Sequence, residues 1–328
     1  MSTAPLSSIL IVGGGSAGWM AAAYLSRMLR RQRVAVTLVE SPDIGTIGVG
    51  ESTIPSMVRF VRSLGLDEAE FMRRCSGSYK LAIRFSDWLE TGTDYWHPFG
   101  PVGPRVAGND LFHYWFARRE AGTRPPPYPE HSLQYWLAAG MKGPRSLNGG
   151  STISEQGGYA FHVDAGALAA YLREIAISEG VTHIQGQVGK VDLGPDGSVA
   201  AVDIGGGRTL SADLYIDCTG FRGVLIEGAL GDQWIDWNNQ MLNDRAVVMP
   251  VTRGDVVPSY THSTAIPEEA GCADRAVFAG GYGPMHSSAH LDETRAAEIL
   301  VERVGPRRSR LADPGCCACA SVDEASSG

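Results

Sequence analysis

A glycine-rich turn near the start of the chain has the spacing of a dinucleotide-binding motif. The run Gly-Gly-Gly-Ser-Ala-Gly begins at Gly13 and fits Gly-x-Gly-x-x-Gly. Gly13 would allow a tight turn, Gly15 would let the backbone approach a pyrophosphate, and Gly18 would let a helix pack closely on a strand. The free amides of the first helical turn, which begins at Ser16 and Ala17, would then face the phosphates. The chemistry expected here is the binding of a dinucleotide.

Glu40 is the next candidate for this site. It ends an expected strand 22 residues after Gly18, where a carboxylate can accept hydrogen bonds from the ribose hydroxyls of adenosine. The alternative is an ordinary glycine turn followed by a surface glutamate. The motif lies between an expected strand and an expected helix, which is the context it requires, so the dinucleotide site is favoured.

The expected secondary structure places this turn at the start of a parallel α/β sheet. Residues 8–13 are predicted as a buried strand, residues 16–31 as a helix, and residues 34–39 as a second strand. Strand, glycine turn, helix and strand in this order are typical of a parallel unit. The sequence also predicts helices at 56–73 and 165–179, strands at 81–88, 182–184, 186–192, 200–204 and 213–217, a turn at 195–197, and a covering insertion over about 92–145.

The glycine motif alone does not distinguish FAD from NAD, but two later segments favour FAD. Val188 lies on an expected downstream strand, where FAD-binding folds commonly bring a second segment to the adenine end. The run Asp213-Leu-Tyr-Ile-Asp-Cys-Thr-Gly220 resembles the strand and turn that reach the flavin in FAD proteins of the glutathione-reductase and aromatic-hydroxylase types. Its alternative is an ordinary buried strand that ends in a glycine turn. We therefore expect an FAD-binding, Rossmann-like α/β fold.

Composition argues against several other classes. A chain of 328 residues with 44% hydrophobic residues can bury one large core or two smaller ones. The formal net charge of -8 and the lack of a basic stripe argue against a nucleic-acid partner. The first apolar run, Ile9 to Val12, is too short to span a membrane and has no basic lead, so a cytoplasmic protein without membrane contact is expected. The six cysteines show no disulfide framework or paired metal motif, and no metal is expected.

Six further patterns, in order and spacing, resemble the flavin-dependent tryptophan halogenase family. The resemblance covers about residues 8–265, and each motif is moderately specific while the six in register are strongly so. The motifs are Gly13-Gly-Gly-Ser-Ala-Gly-Trp19, Gly48-Val-Gly-Glu-Ser-Thr-Ile-Pro55, Ser76-Gly-Ser-Tyr-Lys-Leu-Ala-Ile-Arg-Phe85, His97-Pro-Phe-Gly100, Phe161-His-Val-Asp164 and Asp217-Cys-Thr-Gly-Phe-Arg-Gly223.

This resemblance implies a reaction and a catalytic residue. Reduced FAD, supplied by a separate flavin reductase, would react with oxygen and halide to give hypohalous acid, which travels to an aromatic substrate such as tryptophan or an indole. Lys80 matches the lysine that meets the oxidant. An amine can hydrogen-bond hypohalous acid or become a haloamine, and burial would lower its pKa and favour the neutral, nucleophilic form.

The same resemblance implies the residues around that lysine. Gly50 belongs to a strap between flavin and lysine, although a helix-entry loop with Ser52 or Thr53 as N-cap is an open alternative. His97 and Phe99 match rings that sandwich the indole, the alternative being a proline turn between packed aromatic residues. For His162 and Asp164 a structural role is favoured, with Asp164 as the N-cap of the helix that follows.

The sequence departs from the family after Ile266. The family's Gly-Trp-x-Trp-x-Ile-Pro motif is absent from 266–280, the resemblance returns over 281–304, and 305–328 is predicted to be a disordered tail. We expect an FAD-binding domain over 1–265, a disrupted segment, a short family-like remnant and the tail. A reading frame lost near 266, regained near 281 and lost again near 305 would explain this pattern. The family's glutamate that cooperates with the lysine would then lie beyond the chain's end.

Two other functions remain open at this point. A flavin monooxygenase would hydroxylate an aromatic ring without needing halide or Lys80. A non-catalytic remnant would bind FAD and turn over no substrate. Substrate identity, ring position and the choice of chloride or bromide are not encoded in the residues present.

Overall fold

The structure is a computed structural model that describes residues 5–45, 51–146, 158–250, 256–268, 271–278, 281–304 and 318–321. The α-helices are α1 Ser16–Met28, α2 Ser56–Ser63, α3 Glu68–Arg74, α4 Leu111–Glu120, α5 Leu133–Ala139, α6 Ala165–Ser178 and α7 Glu293–Val304. The strands are β1 Ser8–Val12, β2 Ala35–Glu40, β3 Glu51–Ser52, β4 Ser78–Lys80, β5 Ala82–Ser86, β6 Asp94–Pro98, β7 Ala160–Val163, β8 Thr182–Gln185, β9 Val191–Leu193, β10 Val199–Asp203, β11 Thr209–Leu210, β12 Leu214–Asp217, β13 Arg245–Pro250, β14 Tyr260–Glu268, β15 Gly271–Phe278, β16 Gly281–His286 and β17 Ala318–Ser321.

A four-stranded parallel sheet with the order β12-β1-β2-β8 carries the glycine turn. Ile9 and Ile11 of β1 face a core built with α1 and α6, while Leu10 and Val12 face a second core with residues of β10. A strand that is buried on both faces reads as a continuous hydrophobic run and belongs in a parallel sheet covered on both sides. The expected α/β fold class is confirmed by this sheet.

A small antiparallel sheet and one parallel strand pair place the lysine strand. β7 lies between β3 and β4, so that Ser52 and Ser78 both lie opposite His162 in the register. Immediately after β4 the chain continues into β5, which pairs in parallel with β14 and places Thr261 opposite Ile83. The end of β4 therefore lies where strands from four parts of the chain meet.

The helix predicted over 56–73 is two helices. Gly65 adopts a left-handed φ of +65° just after α2, and the carboxylate of Asp67 accepts a hydrogen bond from the amide of Glu70 at 2.8 Å to begin α3. A helix can tolerate an isolated glycine. A glycine with left-handed backbone that is followed by an N-cap residue, however, ends one helix and starts another.

The covering insertion contains more regular structure than the sequence predicts. β6 pairs with β5, and α4 and α5 follow it. The α4 residues Phe112, Tyr114 and Phe116 are each about 40% exposed, so this helix shows no buried face among the described residues. Aromatic clustering explains why the pattern lacked a helical period: the Phe112 ring stacks on Trp115 and Phe116 rather than on a core.

Strands also form where the sequence predicts disruption. β14 runs past Ile266 and pairs with β15, and β16 pairs with β13. Residues 318–321 form β17 against β13, whereas the rest of the predicted tail at 305–328 lies outside the described residues, so the disordered tail stays a prediction. Strand ladders are held by main-chain hydrogen bonds, which do not require side-chain alternation. The frame-loss hypothesis and the boundary at 265 stay predictions.

Most other elements agree with the predicted ones within a few residues. The turn at 195–197 joins β9 and β10, and the Asp164 carboxylate caps α6 by accepting a hydrogen bond from the Ala167 amide at 2.6 Å. The strand expected over 186–192 is wrong for its first part, because β9 begins only at Val191. Among the described residues, no helix combines the length and apolar character needed to cross a bilayer.

Candidate functional site

A cavity of about 460 Å³ opens at the carboxyl end of the parallel sheet. This is where ligands bind in open α/β folds, and its volume lies within the roughly 300–1,000 Å³ of small-molecule and cofactor sites. The lining brings together six of the predicted cofactor residues from distant parts of the chain: Gly13, Gly15, Ser16, Ala17, Glu40 and Val188. Gly50 lies outside the described residues.

The glycines of the turn meet the three requirements of the motif. Gly13 has a φ of +107°, and a Cβ there would lie 2.2 Å from the carbonyl oxygen of Cys218. A Cβ on Gly18 would lie 1.9 Å from the carbonyl oxygen of Gly13, so Gly18 serves packing rather than lining. A Cβ on Gly15 would meet no atom within 4 Å. Gly15 therefore leaves open space at the start of α1, where the helix dipole and free amides favour an anion.

Glu40 lies at the rim of the cavity, folded over Gly14. A Cβ on Gly14 would lie 1.6 Å from Oε2 of Glu40. The other oxygen, Oε1, lies 2.7 Å from Nε2 of His183 on β8, yet this ring nitrogen has no hydrogen-bond partner with adequate geometry. The contact is therefore a close approach without a directed hydrogen bond, and the carboxylate retains acceptor capacity for hydroxyl groups in the cavity.

The Asp217 carboxylate builds the opposite wall. It accepts hydrogen bonds from the Thr219 amide and hydroxyl at 3.0 and 2.6 Å, and from the amides of Leu225 and Ile226 at 2.7 and 3.0 Å. Burial acts to raise the pKa of Asp217, but these hydrogen bonds outweigh it and hold the pKa below its usual range. Asp217 thus clamps the turn that carries Thr219 and Gly220 to the cavity.

Asp217→Asn is expected to destabilise the fold by about 1–3 kcal/mol at pH 7. One of the two carboxylate oxygens that accept hydrogen bonds would be replaced by an NH2 group, which can only donate and would leave its backbone or hydroxyl partners without an acceptor. The folded-state pKa of the carboxyl is depressed, so its stabilisation is present above the unfolded-state pKa and is lost as pH falls through the folded-state pKa. Urea unfolding at pH 7 and in acid should show the gap between wild type and variant closing at low pH. The exposed Asp232→Asn is the matched control, and an equal loss in both variants would contradict the clamp.

Lys80 is buried at the end of β4 with its side chain 2% exposed. Its amine donates hydrogen bonds to Oγ of Ser52 at 2.7 Å and to the carbonyl oxygen of Thr53 at 3.1 Å. Burial lowers the pKa of Lys80 to about 8. An amine with this pKa is neutral in roughly a tenth of the molecules at pH 7, far more than an exposed lysine, and the neutral form is the one that can act as a nucleophile.

One short segment connects the cavity to this amine. Glu51 lines the cavity, and the next residue, Ser52, contacts Lys80. The hydroxyl of Thr53 instead bonds the backbone of Phe161, and Pro55 occupies the N-cap position of α2. Ser52 and Thr53 therefore do not cap α2, and that alternative is wrong.

The two predicted substrate rings lie near Lys80 and do not line the cavity. The amine lies 5.2 Å from the ring centroid of Phe99, which is 7% exposed, whereas His97 is exposed. The two rings are 6.2 Å apart and nearly perpendicular, at 81°. The rings meet edge to face and are not parallel. A flat ligand could therefore stack on only one of the two rings unless His97 changes its orientation.

Several site residues were not predicted from the sequence. Arg222, Ser41 and Ile44 line the cavity, and Arg222 is a cation there that suits a phosphate. Arg222 could have been predicted, because it is a basic residue two positions after Gly220 in the turn that follows a strand. Thr261 is buried within hydrogen-bond distance of Ser52 and His162, and no sequence pattern indicated that it approaches the lysine.

The residues present fit a dinucleotide with a flavin. The glycine backbone and the α1 N-terminus suit a pyrophosphate, Glu40 suits a ribose, and the turn after Asp217 borders the remaining volume. The Rossmann-type parallel sheet with this cradle is the fold of the FAD-binding class of dinucleotide proteins.

Comparison with known proteins gives the family. The family model described as tryptophan halogenase matches residues 8–314, so the chain belongs to the tryptophan halogenase family. It is 37% identical over 316 residues to tryptophan 7-halogenase RebH of Lentzea aerocolonigenes, covering 90% of this chain and 58% of that protein. It is 35% identical over 333 residues to tryptophan 6-halogenase SttH of Streptomyces toxytricini, covering 93% and 62%.

Solved structures agree with this assignment. The crystal structure of SttH from Streptomyces toxytricini has a TM-score of 0.83 at 34% identity and covers 96% of this chain and 63% of that chain. BrvH, a flavin-dependent halogenase from Brevundimonas sp. BAL3, has a TM-score of 0.77 at 37% identity and covers 90% and 59%. The chain thus spans about three fifths of the length of these relatives.

Proposed function

We propose that this chain is the FAD-binding and lysine-bearing part of a halogenase that acts on tryptophan or a related indole. The observation that carries the proposal is the step of one residue from the cofactor cavity to a buried amine, from Glu51 to Ser52 and so to Lys80. The relatives named above as tryptophan halogenases support the substrate class.

When bound, FAD reduced by a separate flavin reductase would supply the electrons with which oxygen and halide give hypohalous acid. The described part of the strap, from Glu51 to Pro55, lies between the cavity and Lys80, which would keep the oxidant's source and its point of use apart. The neutral Lys80 amine can hydrogen-bond hypohalous acid, or take the halogen and release water, and either holds the electrophile at one place. Phe99, beside that amine, offers an apolar face for a flat, electron-rich ring.

Mass spectrometry of tryptophan incubated with this chain, FAD, a flavin reductase, oxygen and bromide tests the proposal. We expect a product with the bromine isotope doublet that disappears when bromide is omitted. A hydroxylated, bromide-independent product would contradict it in favour of a monooxygenase. Unchanged tryptophan with FAD bound would contradict it in favour of a binding remnant.

A further inference from the structure

A continuous line of buried side chains leads away from the Lys80 amine. Ser52 Oγ lies 2.8 Å from Thr261 Oγ1, and Thr261 Oγ1 lies 2.9 Å from Nε2 of His162. The other ring nitrogen of His162, Nδ1, lies 3.3 Å from Oγ of Ser78. Lys80, Thr261 and His162 are each 5% exposed or less, so water does not compete freely for these groups.

The register explains why these residues meet. His162 lies on the middle strand of the β3-β7-β4 sheet, opposite Ser52 on one side and Ser78 on the other. Thr261 arrives on β14, whose neighbour Ser259 accepts a hydrogen bond from the Leu81 amide at 2.7 Å. The cluster is therefore set by backbone pairing and not by chance rotamers.

A neutral amine has two N–H groups and one lone pair. Ser52 Oγ and the Thr53 carbonyl take the two N–H groups, so the lone pair stays open, provided that the Ser52 hydroxyl acts as an acceptor toward Lys80. The Ser52 hydroxyl must then donate its own hydrogen bond to another acceptor, and Thr261 Oγ1 is the neighbour within reach. Thr261 in turn must donate to His162, which requires an unprotonated Nε2.

We propose that Thr261 and His162 are positioning residues that fix the direction of this hydrogen-bond chain and thereby keep the lone pair of Lys80 free. The direction runs from Lys80 to Ser52, to Thr261 and to Nε2 of His162, and His162 donates from Nδ1 to Ser78. If the direction reversed, the Ser52 hydroxyl would donate to the amine and occupy the lone pair. The catalytic meaning of this arrangement rests on the proposed function, whereas the arrangement itself does not.

The unmodified protein gives the first test. With histidine labelled by ¹⁵N, the Nε2 signal of His162 should show an unprotonated nitrogen and Nδ1 a protonated one, with His162→Gln used for assignment. The opposite tautomer, protonated at Nε2, would overturn the proposal. This measurement needs neither halide nor turnover, so it separates failure of the inference from failure of the proposed function.

The second test follows Lys80 itself. The chain contains three lysines, Lys80, Lys142 and Lys190, so a protein labelled with ¹³C at lysine Cε gives a spectrum of three signals. In Thr261→Val the Ser52 proton loses its acceptor and turns to the amine, which stabilises the neutral form and should lower the Lys80 titration midpoint by about one pH unit.

Matched variants separate this effect from general damage. Thr261→Ser keeps the hydroxyl and should keep the wild-type midpoint, and Thr264→Val, on the same strand, should also leave it unchanged. The titratable groups with described side chains on the surrounding strands are Glu51, Tyr79, Arg84, His162, Tyr260 and His262, and in the described part of the chain none of them forms an ion pair with Lys80. A midpoint in Thr261→Val equal to that of the wild type would overturn the proposal. If Thr261→Val does not fold, the His162 tautomer decides.

Discussion

Lys80→Met is expected to lower halogenated product on the order of a thousandfold while oxidation of reduced flavin continues. The thioether fills much of the volume of the lysine side chain but cannot hold an electrophilic halogen. Flavin chemistry belongs to the cavity, which Lys80 does not line. Product yield by chromatography and consumption of the flavin reductant are to be measured in the same reaction. The exposed Lys142→Met is the control, and equal loss of product in both variants would contradict a special role for Lys80.

The same variant is expected to be more stable than the wild type at pH 7, by up to about 3 kcal/mol. Burial lowers the pKa of Lys80 from 10.5 to about 8, so the charged amine opposes folding. The sign follows from proton binding: between pH 8 and 10.5 the unfolded chain holds a proton that the folded chain has released, and wild-type stability rises with pH. The advantage of Lys80→Met should therefore shrink across this interval. Denaturant unfolding at several pH values measures it, and a gap independent of pH would contradict the burial argument.

Gly15→Val is expected to weaken FAD binding about a hundredfold, equivalent to roughly 2.7 kcal/mol, with little change in the fold. A side chain at Gly15 meets no protein atom within 4 Å, and its backbone φ of -71° suits any residue. The side chain would therefore project into the space that the pyrophosphate needs.

Flavin fluorescence titration and denaturant unfolding together test this. The exposed Gly166→Val on α6, far along the chain from the turn, is the matched control for flavin affinity. Wild-type affinity in Gly15→Val would show that the backbone at this position does not approach the ligand. Lost affinity with unchanged unfolding is the expected pair of results.

Much of the cofactor half of the site could be predicted from the sequence because its signals are local. Gly13 has a positive φ, and a Cβ at Gly13 or Gly18 would meet a backbone oxygen within 2.2 Å, so glycine is required at these two positions of the turn. The capping role of Asp164 is equally local, since its partner is three residues away. For such features a short stretch of residues carries the whole physical requirement.

The longer-range contacts depended on the tertiary structure. How the aromatic insertion packs and whether segments beyond 266 pair as strands depend on partners distant in the chain. The 81° angle between His97 and Phe99 also follows from packing rather than spacing. No local pattern contains this information.

The amino-acid sequence by itself determined the dinucleotide turn, the parallel α/β unit and the candidate lysine. Only the tertiary structure decided that Lys80 is buried, that its amine contacts Ser52 and through it Thr261, and that the neighbouring Glu51 lines the cavity. The physical reason is that backbone geometry is specified by neighbours in sequence, whereas the protonation and hydrogen bonding of a buried amine are specified by groups that only the folded chain brings together.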